Sequence, residues 1–128
     1  MIYIKLIILL LLPFSLLSQE VKDIPVIDFV SGEYPIGEKV KIYFSEDKKP
    51  LIKSDLASFY RIVKFKEKNI PIGMVLEYNI NGVIESEYYA SYLGLDSNGK
   101  DSIFHNGPVK IYENGNLSIQ KTLINDKV

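Results

Sequence analysis

Gly73-Met74-Val75-Leu76-Glu77-Tyr78-Asn79-Ile80-Asn81-Gly82-Val83-Ile84 decides the fold, because it returns as Gly107-Pro108-Val109-Lys110-Ile111-Tyr112-Glu113-Asn114-Gly115-Asn116-Leu117. Each copy runs Gly, four residues, Tyr, a short polar step, Asn-Gly, and then an apolar residue. Gly73 and Gly107 stand 34 positions apart, as do Tyr78 and Tyr112, while the Asn-Gly step comes one residue sooner in the second copy. A fainter copy lies at Gly37 to Tyr43. Physically such a unit is a hairpin. The first Gly admits a tight turn, the Tyr packs along a sheet, and Asn-Gly accepts the positive φ that reverses the chain. A single hairpin cannot bury its own apolar face, so successive units must lie side by side in one sheet.

The flanking sequence has the same character. Val40, Ile42 and Phe44 alternate with Lys39, Lys41 and Tyr43, which predicts a strand over 38–44. Phe59, Arg61, Val63 and Phe65 alternate with Tyr60, Ile62 and Lys64 in a second strand. Further strands are expected over 74–78, 83–92, 109–112 and 117–124. Turns are expected at 45–50, 66–69, 81–82, 96–101, 106–108 and 114–116. Pro25 makes 21–28 an extended lead-in, and Ser54–Ser58 is the one place that suggests a helical turn. No segment carries a sustained apolar stripe of helical period.

The N-terminus is of another kind. Lys5 precedes a twelve-residue stretch, 6 to 17, that is apolar except for Ser15, and then Ser18-Gln19-Glu20. This is the pattern of a cleaved secretory signal peptide, since a membrane-spanning helix wants roughly 20 apolar residues and Pro13 interrupts this run. Cleavage near Ser18 and a secreted or periplasmic destination are expected. The domains read as a signal peptide over 1–18, an extended and strand segment over 19–50, and a repeat region over 51–128. The expected fold is mostly β, an antiparallel meander of stacked hairpins behind an N-terminal signal helix.

The cadence of Gly73, Tyr78, Asn81-Gly82 and of Gly107, Tyr112, Asn114-Gly115 resembles the variant MORN-repeat family of bacteria, built from Gly-x-x-x-x-Tyr-x-x-Asn-Gly-x-Leu units. Ala57–Phe65 followed by Pro71-Ile72-Gly73 also looks like the opening of such proteins, so the resemblance covers about residues 57 to 128. It implies a sheet of stacked repeat hairpins. Many family members are described as antitoxin components and many carry export signals. The spacing of 34 exceeds the family's usual twenty-odd residues, which implies an insertion near Leu93 to Ser102. The ending Thr122–Val128 reads as the lead into another unit, so a short or truncated member with an exposed final edge is expected.

Composition and candidate chemistry point the same way. The formal net charge is −1 and no basic stripe stands out along the sequence, which speaks against nucleic acid. With no Cys, disulfides, thiolate catalysis and cysteine-ligated metal are excluded. His105 is the sole histidine and sits beside the expected turn at Asn106-Gly107, so it reads as a loop residue. Asp96-x-Asn98-Gly99-x-Asp101 has its Gly at the fourth position, where a calcium loop needs it at the sixth, and reads as a solvated turn. Glu85 and Glu87 share one strand face, about 7 Å apart by the strand rise, and read as a solubilising pair.

The expectation is therefore no enzyme, no cofactor and no metal. Tyr88, Tyr89 and Tyr112 are the candidate binding surface for a protein or a cell-envelope component. Membrane contact is expected only through the signal peptide, and edge-to-edge self-association through the final strand. Two alternatives are an antitoxin-like inhibitor and a small hydrolase using Glu85, Glu87 or Asp101.

Overall fold

The computed structural model describes residues 24–127 of the chain. The expected signal segment lies outside them. Eight strands follow one another: β1 Lys39–Phe44, β2 Pro50–Leu51, β3 Phe59–Glu67, β4 Ile70–Pro71, β5 Val75–Asn79, β6 Ile84–Leu95, β7 Asp101–Glu113 and β8 Asn116–Lys127. They form an antiparallel sheet in the order β2-β1-β3-β5-β6-β7-β8, with β4 paired to β3 off this path. The architecture is mostly β, and no helix occurs among the described residues. Ser54–Ser58 makes only a single hydrogen-bonded turn, Ala57 N to Ser54 O at 3.0 Å.

Alternation sorts the side chains onto two faces. Val40, Ile42 and Phe44 of β1, Val63 and Phe65 of β3, Val75 of β5, and Tyr88 and Leu93 of β6 are buried on the inner face, joined by Val109 of β7. The extended lead-in closes this face from one side. Ile27 donates its amide to the Lys41 carbonyl at 3.0 Å, and Phe29 stacks on Phe65 with ring centroids 6.0 Å apart. Burying side chains of this size stabilises by about 1.5–3 kcal/mol each.

The two sequence repeats are structurally equivalent hairpins. In β5–β6, Glu77 pairs with Ser86 and Tyr78 with Ile84, skipping Glu85. In β7–β8, Ile111 pairs with Ile119 and Tyr112 with Leu117, skipping Ser118. Each Tyr therefore sits at the same bulge, one step before the turn. The one-residue difference in spacing lies in the turns. Asn114 (φ 53) and Gly115 (φ 80) make a two-residue reversal. At 79–83 only Gly82 has positive φ, and Asn79 Oδ1 accepts from the Asn81 and Val83 amides at 2.9 and 3.0 Å. The expectation of positive φ at both Asn81 and Gly82 is thus corrected. The side chain of Asn79 holds a longer turn instead.

The same five-residue turn recurs at 96–100, where Asp96 Oδ1 accepts from Asn98 and Lys100 at 2.8 and 3.0 Å. It recurs at 45–49, where Ser45 Oγ accepts from the Lys49 amide at 3.2 Å.

A second correction concerns Asn106-Gly107-Pro108, expected as a turn. β7 runs straight through it, with the register shifting between His105 and Gly107. Gly107 (φ 129) takes a backbone conformation that side chains resist, and a Cβ there would meet Tyr89 Cβ at 3.4 Å. Pro108 is tolerated within the sheet beside such an irregularity. β6 shifts register twice across the same zone, between Tyr88 and Tyr92. These bulges bend the long β6–β7 hairpin, and its tip reaches back toward the first strands. The Leu93 amide donates to the Asn69 carbonyl and the Asp101 amide to the Lys48 carbonyl, at 2.9 and 2.8 Å.

A buried arginine cluster and an aromatic face

Arg61 stands on the inner face of β3 among apolar neighbours, and its side chain has no solvent exposure. Its position is fixed by register. It lies opposite Ile42 on one side and Glu77 on the other, so the first carboxylate arrives as a cross-strand neighbour. Arg61 Nε and Nη2 donate to Glu77 Oε2 at 3.0 and 2.7 Å. The second carboxylate comes from the β6–β7 tip. Arg61 Nη1 and Nη2 donate to Asp101 Oδ1 and Oδ2 at 2.9 and 2.6 Å, a two-pronged pair. The guanidinium also lies 4.6 Å over the Phe44 ring.

Tyr88 completes the cluster by donating its hydroxyl to Glu77 Oε2. Burial pushes the Tyr88 phenol well above the usual tyrosine range, against the pull of Arg61, and the bond to Glu77 reinforces the shift. Burial acts to lower the Arg61 pKa, but Tyr88, Glu77 and Asp101 outweigh it, so the guanidinium is held charged. The His105 ring packs edge-on to Tyr88 at 4.8 Å. It is a buried strand residue, 7% exposed, which corrects its reading as a loop histidine. The reason is the missing turn, since β7 carries it inward.

Above the cluster lies a half-open cleft of ≈ 240 Å³. Glu77, Ser86, Tyr88, Asp101 and His105 line its polar side. Phe59, Ile103, Val109, Ile111 and Leu123 supply apolar walls, with Lys48 and Lys121 at the rim.

The outer face is different. Tyr43, Tyr60 and Tyr78 stand in register across β1, β3 and β5. Tyr60 and Tyr78 stack at 5.1 Å, Tyr43 meets Tyr60 edge-on at 6.0 Å, and Lys41 Nζ sits 4.7 Å over the Tyr60 ring. Lys39 and Lys64 pair on the same face, beyond the intervening Lys41–Ile62 rank. No acidic residue occupies the outward positions of β1, β3 or β5, namely 39, 41, 43, 60, 62, 64, 66, 76 and 78.

The candidate tyrosines divide between the faces. Tyr88 is 2% exposed and belongs to the core, so it leaves the candidate surface. Tyr89 is 40% exposed on the outer side, beside Met74, Pro108 and Lys110. Tyr112 is partly buried, and desolvation with a hydrogen bond to Glu87 raises its phenol pKa. Among the carboxylates considered for hydrolysis, Asp101 points inward to Arg61. Glu87 bonds Tyr112 on the other face, so the two are not brought together. Among the described residues no three His, Asp or Glu side chains gather to hold a metal ion.

Sequence alternation puts Arg61 on an apolar strand face and does not show what neutralises it. An arginine in the inward register of Phe59, Val63 and Phe65 was the available signal, and Glu77 and Asp101 were the missing partners. No protein-family model matches the chain, and no curated protein or solved structure matches it either.

Proposed function

We propose that the protein is an exported, non-catalytic binding module of the MORN-variant kind, which holds a protein or cell-envelope partner against the outer face of its sheet. The observation that carries this reading is the Tyr43–Tyr60–Tyr78 row set among Lys39, Lys41 and Lys64 with no outward acid on their strands. Local charge differs from the overall −1, because folding gathers lysines that are dispersed along the sequence. Rings and ammonium groups together suit an anionic polymer with apolar or planar patches, such as an acidic envelope glycan. The equivalent bulged hairpins at Tyr78 and Tyr112 support the repeat reading, and the segment 1–18 supports export.

The test has two parts. N-terminal sequencing of the protein from the native host's exported fraction is expected to begin near Gln19. Co-sedimentation of that protein with purified envelope material is expected to weaken at least tenfold in the Lys41→Ala, Tyr60→Ala double variant. It is also expected to weaken as salt is added. A start at Met1 removes the export claim, and retention undiminished in the double variant removes the outer face as the binding surface.

A further inference from the structure

We propose that the inner cleft over the Arg61 cluster is a second binding site, one that takes a small primary amine carrying an apolar body. Few polar atoms of the cluster lie within reach of the cleft. Arg61 is sealed, with no exposed side-chain surface, and Asp101 is 5% exposed with each carboxylate oxygen taken by the guanidinium. Tyr88 is 2% exposed and turns its hydroxyl to Glu77. Glu77 keeps 17% of its side chain exposed. Its bonds from Arg61 and Tyr88 all end on Oε2, and none of the hydrogen bonds among the described residues ends on Oε1. The cluster therefore offers the cleft an acceptor, and a ligand group that meets Glu77 there donates; Ser86 and His105, the other polar lining residues, can accept as well as donate.

Charge selects among donors. One guanidinium faces two carboxylates, which leaves one negative charge in a site largely removed from water, where attraction for a cation is screened least. Lys48 and Lys121 stand at the rim and are exposed, so solvent and salt weaken their opposing effect. Ile103, Val109, Ile111 and Leu123 would cover the apolar part of the ligand. At ≈ 240 Å³ the space falls below the range of drug-sized pockets and suits one ring or a short alkyl chain. A free amine fits these limits better than a lysine side chain that brings a peptide backbone with it.

Isothermal titration of the folded protein near neutral pH tests the assignment with three probes: phenethylamine, its carboxylate counterpart hydrocinnamate, and Nα-acetyl-lysine methylamide. Phenethylamine is expected to bind saturably with Kd below about 1 mM, at least tenfold tighter than the other two. Glu77→Gln is expected to weaken it at least tenfold. Because Glu77 also holds Arg61, Leu123→Trp serves as a second variant that fills the cleft and leaves the cluster untouched. It is expected to abolish binding while circular dichroism stays unchanged. Tyr60→Ala on the opposite face is expected to leave amine binding intact, so this site stands or falls separately from the outer-face reading. Absence of saturable amine binding, equal or tighter binding of hydrocinnamate, or amine binding that survives Leu123→Trp overturns the proposal. Preference for the lysine derivative overturns the free-amine assignment.

Discussion

Asp101→Asn bears on the tether that holds the β6–β7 tip to the first strands. Asp101 meets Arg61 through two bonds of 2.9 and 2.6 Å in a setting that leaves its side chain 5% exposed. The amide keeps the shape but removes a charge, and it sets an NH2 against one guanidinium nitrogen, donor facing donor. Removing one partner from a buried ion pair costs about 3–5 kcal/mol. Arg61 retains Glu77 through Nε and Nη2, so the lower bound applies, about 3 kcal/mol. For a domain near this size each kcal/mol moves Tm by about 4–8 °C, which gives a fall of about 12–24 °C. Urea unfolding followed by circular dichroism is the direct assay, with the midpoint lowered and the slope unchanged. Pairing the change with Glu77→Gln should give a cost that departs from the sum of the single changes, since both carboxylates share one cation. A cost below about 1 kcal/mol, the range of an exposed ion pair, would refute the reasoning.

Three further outcomes follow from the same geometry. The Tyr88 phenol is raised in the folded state, so its contribution is fully present below the ordinary tyrosine value of 10.0 and is lost as pH climbs through the raised value. Alkaline titration by phenolate absorbance should therefore show one tyrosine ionising only with unfolding, and Tyr88→Phe should remove that late step while lowering neutral stability by about 1–2 kcal/mol. Gly107→Ala is expected to cost about 1–3 kcal/mol from backbone strain, with added crowding at Tyr89. Gly37→Ala, where a Cβ meets nothing within 4 Å, should cost less in the same thermal melts. Asn79→Ala should cost about 1 kcal/mol, because two turn amides lose their acceptor, and Asp96→Ala should match it.

Much of the sheet was legible because strand signals here are local. Alternation around Val40-Ile42-Phe44 and Val63-Phe65 fixes which residues face inward, and the Gly/Tyr/Asn-Gly cadence marks two hairpins that share one bulge geometry. The errors came where local chemistry has two solutions. Asn106-Gly107-Pro108 has turn composition, yet the same φ freedom that makes a turn also makes a bulge, and only pairing with β6 and β8 decides between them. His105 was misplaced for that reason alone. The arginine cluster was not legible as a site, because Glu77 and Asp101 lie 16 and 40 residues from Arg61, the first meeting it through β3–β5 pairing and the second only through the bent hairpin. Tyr88 and Tyr89 are neighbours in one strand, so alternation sends them to opposite faces. Which of them faces water depended on a register that no single strand contains.

The β6–β7 tip folds back and docks on the first strands, and amide hydrogen exchange resolved to single residues tests this docking most directly. The Leu93 and Asp101 amides, which donate to the Asn69 and Lys48 carbonyls, should exchange as slowly as those of the Val63–Phe65 core strand. Exchange at the rate of free turn amides at both positions, with β3 still protected, would contradict the fold-back and dissolve the cleft with it.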